Sequence, residues 1–341
     1  MRQEYHRRWR QELLQLIDPE TGRLAENFSF YRPCPLCGQD KANLLFIKDG
    51  FSFVKCKYCY FVYVNPIVDD KKVGNVHKDY ACNYYEQQYQ PSTQLIEEYN
   101  NILKEIIKYK ANGHLLDVGC GTGEFLYHAK QLHFQVTGIE INEIAADKAR
   151  GFFGFKVLAE KFEDIDFPSE CFNIVTFLQV LEHLYNPLAA LREAHRIIKP
   201  SGVVAIGVPN IDSFIIKVLQ QRHRHFAGKE HINYFTPHTL SAMVKRAGFR
   251  KILKLRTHGE ECIPSTIVAL MLNPAKYDFF APTYFARGGH TGTAGKLIDK
   301  QVKKTAIYRL VVKAITKADY LPRCATNLLK QGAYIELYAM K

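Results

Sequence analysis

Residues 113–126 read Gly-His-Leu-Leu-Asp-Val-Gly-Cys-Gly-Thr-Gly-Glu-Phe-Leu. An apolar run, Leu115 to Val118, leads into glycines at every second position, Gly119, Gly121 and Gly123. A helical pattern from Glu124 to Lys130 follows at once. A strand that passes through a tight glycine turn into a helix is the first crossover of a doubly wound α/β sheet. The glycines let the backbone turn sharply and approach a ligand, and the amides at the helix start can hold an anion such as a carboxylate.

The next strand-like run, Gln135 to Ile139, ends in Glu140. An acidic side chain about twenty residues beyond such a turn can accept hydrogen bonds from the ribose hydroxyls of an adenosine. The spacing is G-x-G-x-G, unlike the G-x-G-x-x-G of dinucleotide sites, and Asp117 lies within the strand. Asp117-Val-Gly-Cys-Gly-Thr-Gly123 closely resembles motif I of the class I S-adenosylmethionine-dependent methyltransferases, and the later segments keep that family's order. The resemblance covers roughly residues 95 to 260 and the final strand. It implies a seven-stranded Rossmann-like sheet with S-adenosylmethionine as cofactor. Cofactor contacts are then expected from Asp117, Gly119, Cys120, Gly121, Thr122 and Gly123, and from Glu140 and Ile141 on the second strand. The family places adenine contacts in the turn Glu160 to Asp164, where Phe162 can stack on the base and Glu163 or Asp164 can meet its amino group. Gln179, closing the strand Phe172–Leu178, is placed to touch the cofactor. That strand is an apolar run typical of a buried parallel position. The family usually has Asp where this chain has Asn173, so a charge role there is not expected.

Ahead of this domain stand Cys34-Pro-Leu-Cys37 and, after eighteen residues, Cys56-Lys-Tyr-Cys59. Two C-x-x-C pairs at this separation fit two knuckles around one metal, and four thiolates close a tetrahedron with no position left for substrate. Strand-like runs on either side of Asp49-Gly50 complete the pattern of a zinc ribbon with a structural ion. A redox pair is the competing reading.

The expected organisation is an N-terminal amphipathic helix (1–30), the ribbon (31–66), a tyrosine-rich linker on the substrate side (67–94), the cofactor domain (95–259), a basic helical insertion (260–330) and the last strand of the sheet (331–341). Tyr80, Tyr84, Tyr85 and Tyr89 lie in the linker. The basic helix of 296–318 can dock on its own domain, pair two chains or lie on an anionic membrane surface. The N-terminus is charged and lacks an apolar signal core, which points to the cytoplasm.

Zinc ribbon, cofactor domain and the stretch Glu230-His-Ile-Asn-Tyr-Phe235 occur in the order found in zinc-containing sugar C-methyltransferases and related envelope-glycan methyltransferases. By that resemblance His231 is the candidate base and Glu230 its partner, and the acceptor is a sugar, nucleotide-sugar or glycan intermediate. His183, at the end of Gln179-Val-Leu-Glu-His183, is either a second functional histidine or a structural one. The net charge of +12 fits an anionic small substrate, a nucleic acid or a membrane surface alike. An RNA methyltransferase gripping its substrate with the ribbon and the basic helix is therefore an alternative. Against it, the segment after the fourth strand lacks the Asn/Asp-Pro-Pro-Tyr pattern of amino-group methylases. A non-enzymatic scaffold of the same fold is the third reading, opposed by the intact glycine turn and Glu140.

Overall fold

The computed structural model describes residues 13–73, 93–223, 225–259 and 331–341. The first part of the expected N-terminal helix, the four linker tyrosines and the insertion with its basic helix lie outside the described residues.

The N-terminal part contributes β1 (Ser29–Phe30), β2 (Ala42–Lys48), β3 (Phe51–Cys56), β4 (Val62–Val64) and β5 (Ile67–Val68). The main domain follows as α1 (Thr93–Tyr109), β6 (His114–Val118), α2 (Glu124–Gln131), β7 (Gln135–Ile139), α3 (Glu143–Phe153) and β8 (Lys156–Leu158). It continues as β9 (Phe172–Leu178), α4 (Pro187–Ile197), β10 (Ile198–Pro209), α5 (Phe214–Leu219), β11 (Asn233–Tyr234), α6 (Pro237–Ala247), β12 (Lys251–His258) and β13 (Tyr334–Met340).

Seven strands form one sheet in the order β12-β13-β10-β9-β6-β7-β8. The pairs from β10 through β8 are parallel, while β13 runs antiparallel to both β10 and β12. The chain moves outward from β6 through β7 to β8, then returns to start again at β9 on the other side of β6. That reversal opens a crevice at the carboxyl ends of β6 and β9, where sheets of this kind bind ligands. Central strands buried on both faces read as apolar runs, and β9 and β10 obey this along most of their length. The helices stop and start on local signals. Asn142 caps α3 and Gly154 ends it in the left-handed region. Thr236 and Thr239 form a capping box ahead of α6, with Pro237 at its first turn. Asn173 accepts the first amide of β6, His114 N, at 2.9 Å. A neutral amide does this stitching at the amino end of the sheet without placing a charge there.

The ribbon hairpin turns at Asp49-Gly50, both at positive φ, as a two-residue hairpin turn requires. Its sheet has a fourth member that the sequence order hides. The order is β11-β4-β3-β2, so the strand following the Glu230-His231 loop is added to the edge of the ribbon. The reason is burial: Val62, Tyr63 and Val64 are all buried, and an open apolar edge needs a covering strand. Phe51, Phe53, Val64 and Ile67 accordingly share one core with Ile215, Leu219, Phe226, Ile232 and Tyr234. Leu13 and Leu16, from the described end of the N-terminal segment, join the same core. Among the described residues no helix is long and apolar enough to cross a membrane.

Candidate active site

The glycine turn behaves as its sequence demands. Gly119, Gly121 and Gly123 all sit at positive φ, where side chains are strained. Gly119 also has no room for one, since a Cβ there would stand 2.5 Å from Val180 Cγ2. The turn after β6 thus presses against the segment that follows β9. The Gly119 and Cys120 amides donate to the Ile139 carbonyl at 2.7 and 2.9 Å, and the Gly121 amide donates to Glu140 Oε2 at 2.9 Å. Glu140 Oε1 accepts the Asn142 amide at 2.9 Å. Each of its oxygens keeps a second lone pair for a ligand. Thr122 Oγ1 donates to Glu124, and Cys120 is buried against the β7 glycine, Gly138.

Burial shapes the charges here. Asp117 is held at about 7, pushed up first by burial and further by Glu140, against a hydrogen bond from Thr176 Oγ1. Burial likewise raises Glu140, with the Asn142 and Gly121 amides opposing it. Ile141 follows Glu140 at the edge of the cleft, half-buried. Phe162 is inside the core beneath its turn, edge-on to Phe177 at 5.7 Å, while Glu163 and Asp164 are exposed. Gln179 leaves β9 with φ 60 and an exposed side chain, its amide donating to Gly207 O at 2.8 Å.

Beyond Gln179 the chain delivers Glu182 and His183 to the same edge, and the loop before β11 brings His231 onto them. The two imidazoles stand 4.8 Å apart between centroids, edge to face. The Glu182 carbonyl accepts the Ile232 and Asn233 amides at 2.8 and 3.0 Å. Asn233 Nδ2 donates back to Leu181 O and Leu184 O at 3.0 and 2.7 Å. His183 Nδ1 lies 2.9 Å from Glu230 O, and His231 Nδ1 lies 3.2 Å from His225 O. Glu230 therefore meets this cluster through its backbone carbonyl. The Glu182 side chain is 1% exposed, and neither carboxylate oxygen has a hydrogen-bond partner. Burial pushes its carboxyl up to about 8. The sequence reading noted the Glu182-His183 pair after the strand but gave Glu182 no role. Its signal was an acidic residue inside the run Val180-Leu181, directly beside a histidine at a strand's carboxyl end.

The four cysteines gather as their spacing requires, with all four sulfurs within 4.8 Å of one another. Cys34 Sγ is 3.5 Å from Cys59 Sγ, and Cys37 Sγ is 3.5 Å from Cys56 Sγ. The two knuckles match: Gly38 and Tyr60, each following the second cysteine, are both at positive φ and return their amides to Cys34 O and Cys56 O. Burial raises the Cys34 thiol, whereas the Cys59 and Tyr58 amides outweigh burial and bring Cys56 down to about 7.

Arg32, buried, ties this knuckle region to the other two loops. Its guanidinium donates to Tyr185 O at 2.7 Å, to Ile232 O at 2.8 Å and to Asn233 Oδ1 at 3.1 Å. Burial lowers it to about 10, which leaves it charged at neutral pH.

A seven-stranded sheet of this order, with a glycine turn and an acidic strand end meeting at its reversal point, defines a class I methyltransferase. Residues 86–254 match the family model described as a methyltransferase domain. An uncharacterized protein of Methanocaldococcus jannaschii is 29% identical over 159 residues, 47% of this chain and 75% of that protein. The ubiquinone biosynthesis O-methyltransferase of Pseudomonas paraeruginosa is 33% identical over 104 residues, 28% of this chain. The match spans 44% of that enzyme's length. Among solved structures, a chain of the Haloferax volcanii complex between the Trm112 methyltransferase activator and a methyltransferase aligns with TM-score 0.50 at 11% identity, covering 77% of this chain and 96% of that one. The chain thus carries a methyltransferase domain over residues 86–254 and has the fold of the class I S-adenosylmethionine-dependent methyltransferases.

Proposed function

We propose that the protein methylates a hydroxyl-bearing small molecule, a sugar, nucleotide-sugar or glycan intermediate, at the edge formed by Glu182, His183 and His231. The observation that carries this reading is the contact of Gly119 with Val180, which joins the glycine turn to the segment bearing Glu182 and His183. The O-methyltransferase named among the relatives favours oxygen as the methylated atom.

The residues present fit S-adenosylmethionine. Three left-handed glycines leave the backbone bare, and Glu140 is fixed by two amides with lone pairs to spare for ribose hydroxyls. Gly119, Cys120, Gly121, Thr122 and Gly123 would cradle the amino-acid end, with Asp117 beneath them. Ile141 and Gln179 would flank the nucleoside, and Glu163 would meet the adenine amino group over the floor made by Phe162. When bound, the cofactor supplies a sulfonium methyl whose bond to sulfur breaks as the bond to the acceptor oxygen forms, sulfur keeping the electron pair.

The acceptor's proton is the protein's task. A carbonyl oxygen can only accept, so His231 Nδ1 carries its proton toward His225 O and the neutral ring holds its lone pair on Nε2. We assign His231 as the group that takes the proton, with Glu230 setting the neighbouring His183 through its carbonyl. The cysteine cluster fits a structural zinc ion by donor type and number.

The test is transfer of labelled methyl to a panel of sugars and nucleotide-sugars, with transfer RNA as the comparison. Label in a sugar-bearing acceptor, reduced by about 10²–10⁴-fold in His231→Ala, is the expected result. Label in RNA alone would overturn the acceptor class.

A further inference from the structure

We propose that Glu182, His183 and His231 form a binding site for one first-row divalent cation, separate from the cysteine cluster and on the acceptor's side of the cleft. One ligand atom from each residue lies within 4.8 Å of the others. Two imidazoles and a carboxylate form a set that suits Mn²⁺, Fe²⁺, Co²⁺ or Zn²⁺, and three protein ligands leave coordination positions open.

Three features of the cluster point to a cation. The first is Glu182 itself, whose two buried oxygens lack any hydrogen-bond partner. Burying a carboxyl without a partner is costly, and such orphans in native proteins call for a specific explanation. A cation satisfies the carboxylate. The second is the way both rings are held. His183 Nδ1 faces Glu230 O and His231 Nδ1 faces His225 O, so each neutral ring has its lone pair on Nε2. A carbonyl behind Nδ1 is the usual outer support of a ligating histidine. The third is rigidity. The Glu182 carbonyl accepts the Ile232 and Asn233 amides, and Asn233 Nδ2 donates to Leu181 O and Leu184 O. The segment after β9 and the one before β11 are thereby locked together, and the three ligands come from both.

The inference rests on the proposed methylation at this edge and deepens it. A cation reaching the acceptor hydroxyl through an open position would make that hydroxyl more acidic. One lone pair cannot hold a cation and take a proton, so with the cation bound His231 is a ligand in place of the base assigned above. The hydroxyl proton then passes to solvent as the bond from oxygen to the methyl carbon forms.

The probe is Mn²⁺, which prefers nitrogen and oxygen ligands to thiolates, titrated into full-length protein already loaded with zinc. Free Mn²⁺ is read from its electron paramagnetic resonance signal. Wild type should bind one Mn²⁺ per chain. Glu182→Gln and His183→Ala should each weaken binding at least tenfold while keeping S-adenosylmethionine affinity and melting temperature, which shows that they fold. Absence of Mn²⁺ binding at millimolar concentration, or wild-type binding in both variants, overturns the site. Turnover that needs no added cation yet falls in His231→Ala would remove the cation's role and keep the base. Mn²⁺ binding without transfer to any sugar acceptor would keep the site and remove the proposed acceptor.

Discussion

The Gly121 amide donates to the Glu140 carboxylate across 2.9 Å, tying the bend after β6 to the end of β7. The same carboxylate accepts the Asn142 amide, which begins the turn into α3. Glu140 thus orders both walls of the proposed cofactor site before any ligand arrives.

Replacing Glu140 by Ala should weaken S-adenosylmethionine binding by about 10–150-fold. That range corresponds to the loss of a charged hydrogen bond of about 1.5–3 kcal/mol. Isothermal titration measures it directly. Wild-type affinity would remove Glu140 from the site.

Much of this arrangement was legible from local signals. The strand Leu115–Val118, the three alternating glycines and Glu140 all follow from short-range pattern, and the seven-stranded sheet came from the family resemblance that they carry. The two C-x-x-C pairs were readable for the same reason, since each knuckle closes within a few residues. Long-range contacts were not legible. Nothing in the local sequence of Asn233-Tyr234 says that it pairs with Val62-Tyr63. Arg32 reads as a surface arginine until its partners at Tyr185, Ile232 and Asn233 are seen. Glu182 was hidden because an acidic residue beside Leu181 reads as exposed, whereas the loop bearing Ile232 buries it.

The pairing of β11 with β4 makes the ribbon part of the site's frame. Cys34→Ser should lower zinc content below one ion per chain and speed amide exchange at residues 62–64 and 232–235. Affinity for S-adenosylmethionine should fall less than zinc content, because β6 and β7 belong to the seven-stranded sheet and not to the ribbon's, although Cys34 and Cys56 share one core with Val118 and Ile139. Metal analysis and hydrogen exchange read the two effects. Unchanged exchange at 232–235 after zinc loss would separate the ribbon from the loop.

Arg32→Met keeps much of the apolar stem and deletes the charged head. Ile232 O would keep the Val64 amide but lose the guanidinium, and the half-buried Tyr185 O would lose it too, at a cost of about 1–3 kcal/mol for a group left unsatisfied. The expected outcome is a lower melting temperature in calorimetry, with turnover reduced more than cofactor affinity. A melting temperature equal to wild type would show that the clamp is dispensable.

Acid stability should depend on Glu336, which bridges β13 and β12. Its side chain accepts from Arg256 at 2.7 Å, faces His258 Nε2 at 2.7 Å and accepts from Tyr338 at 2.8 Å. Burial works to raise its carboxyl, yet His258 and Arg256 outweigh burial and hold it at about 2. The folded value lies below the ordinary one of 4.5, so folding favours the ionised form. The stabilisation is therefore present above pH 4.5 and is lost as pH falls from there through about 2. A depression of this size is worth about 3 kcal/mol. Glu105, held at about 2 against burial by Lys108, Lys254 and Tyr109, titrates in the same window, so wild type alone cannot separate the two. Comparison with Glu336→Gln does. The variant should be less stable than wild type at pH 6, and the difference should shrink as pH drops below 4. Denaturant melts across that range measure it, and a gap independent of pH would mean that packing, not charge, is what Glu336 contributes.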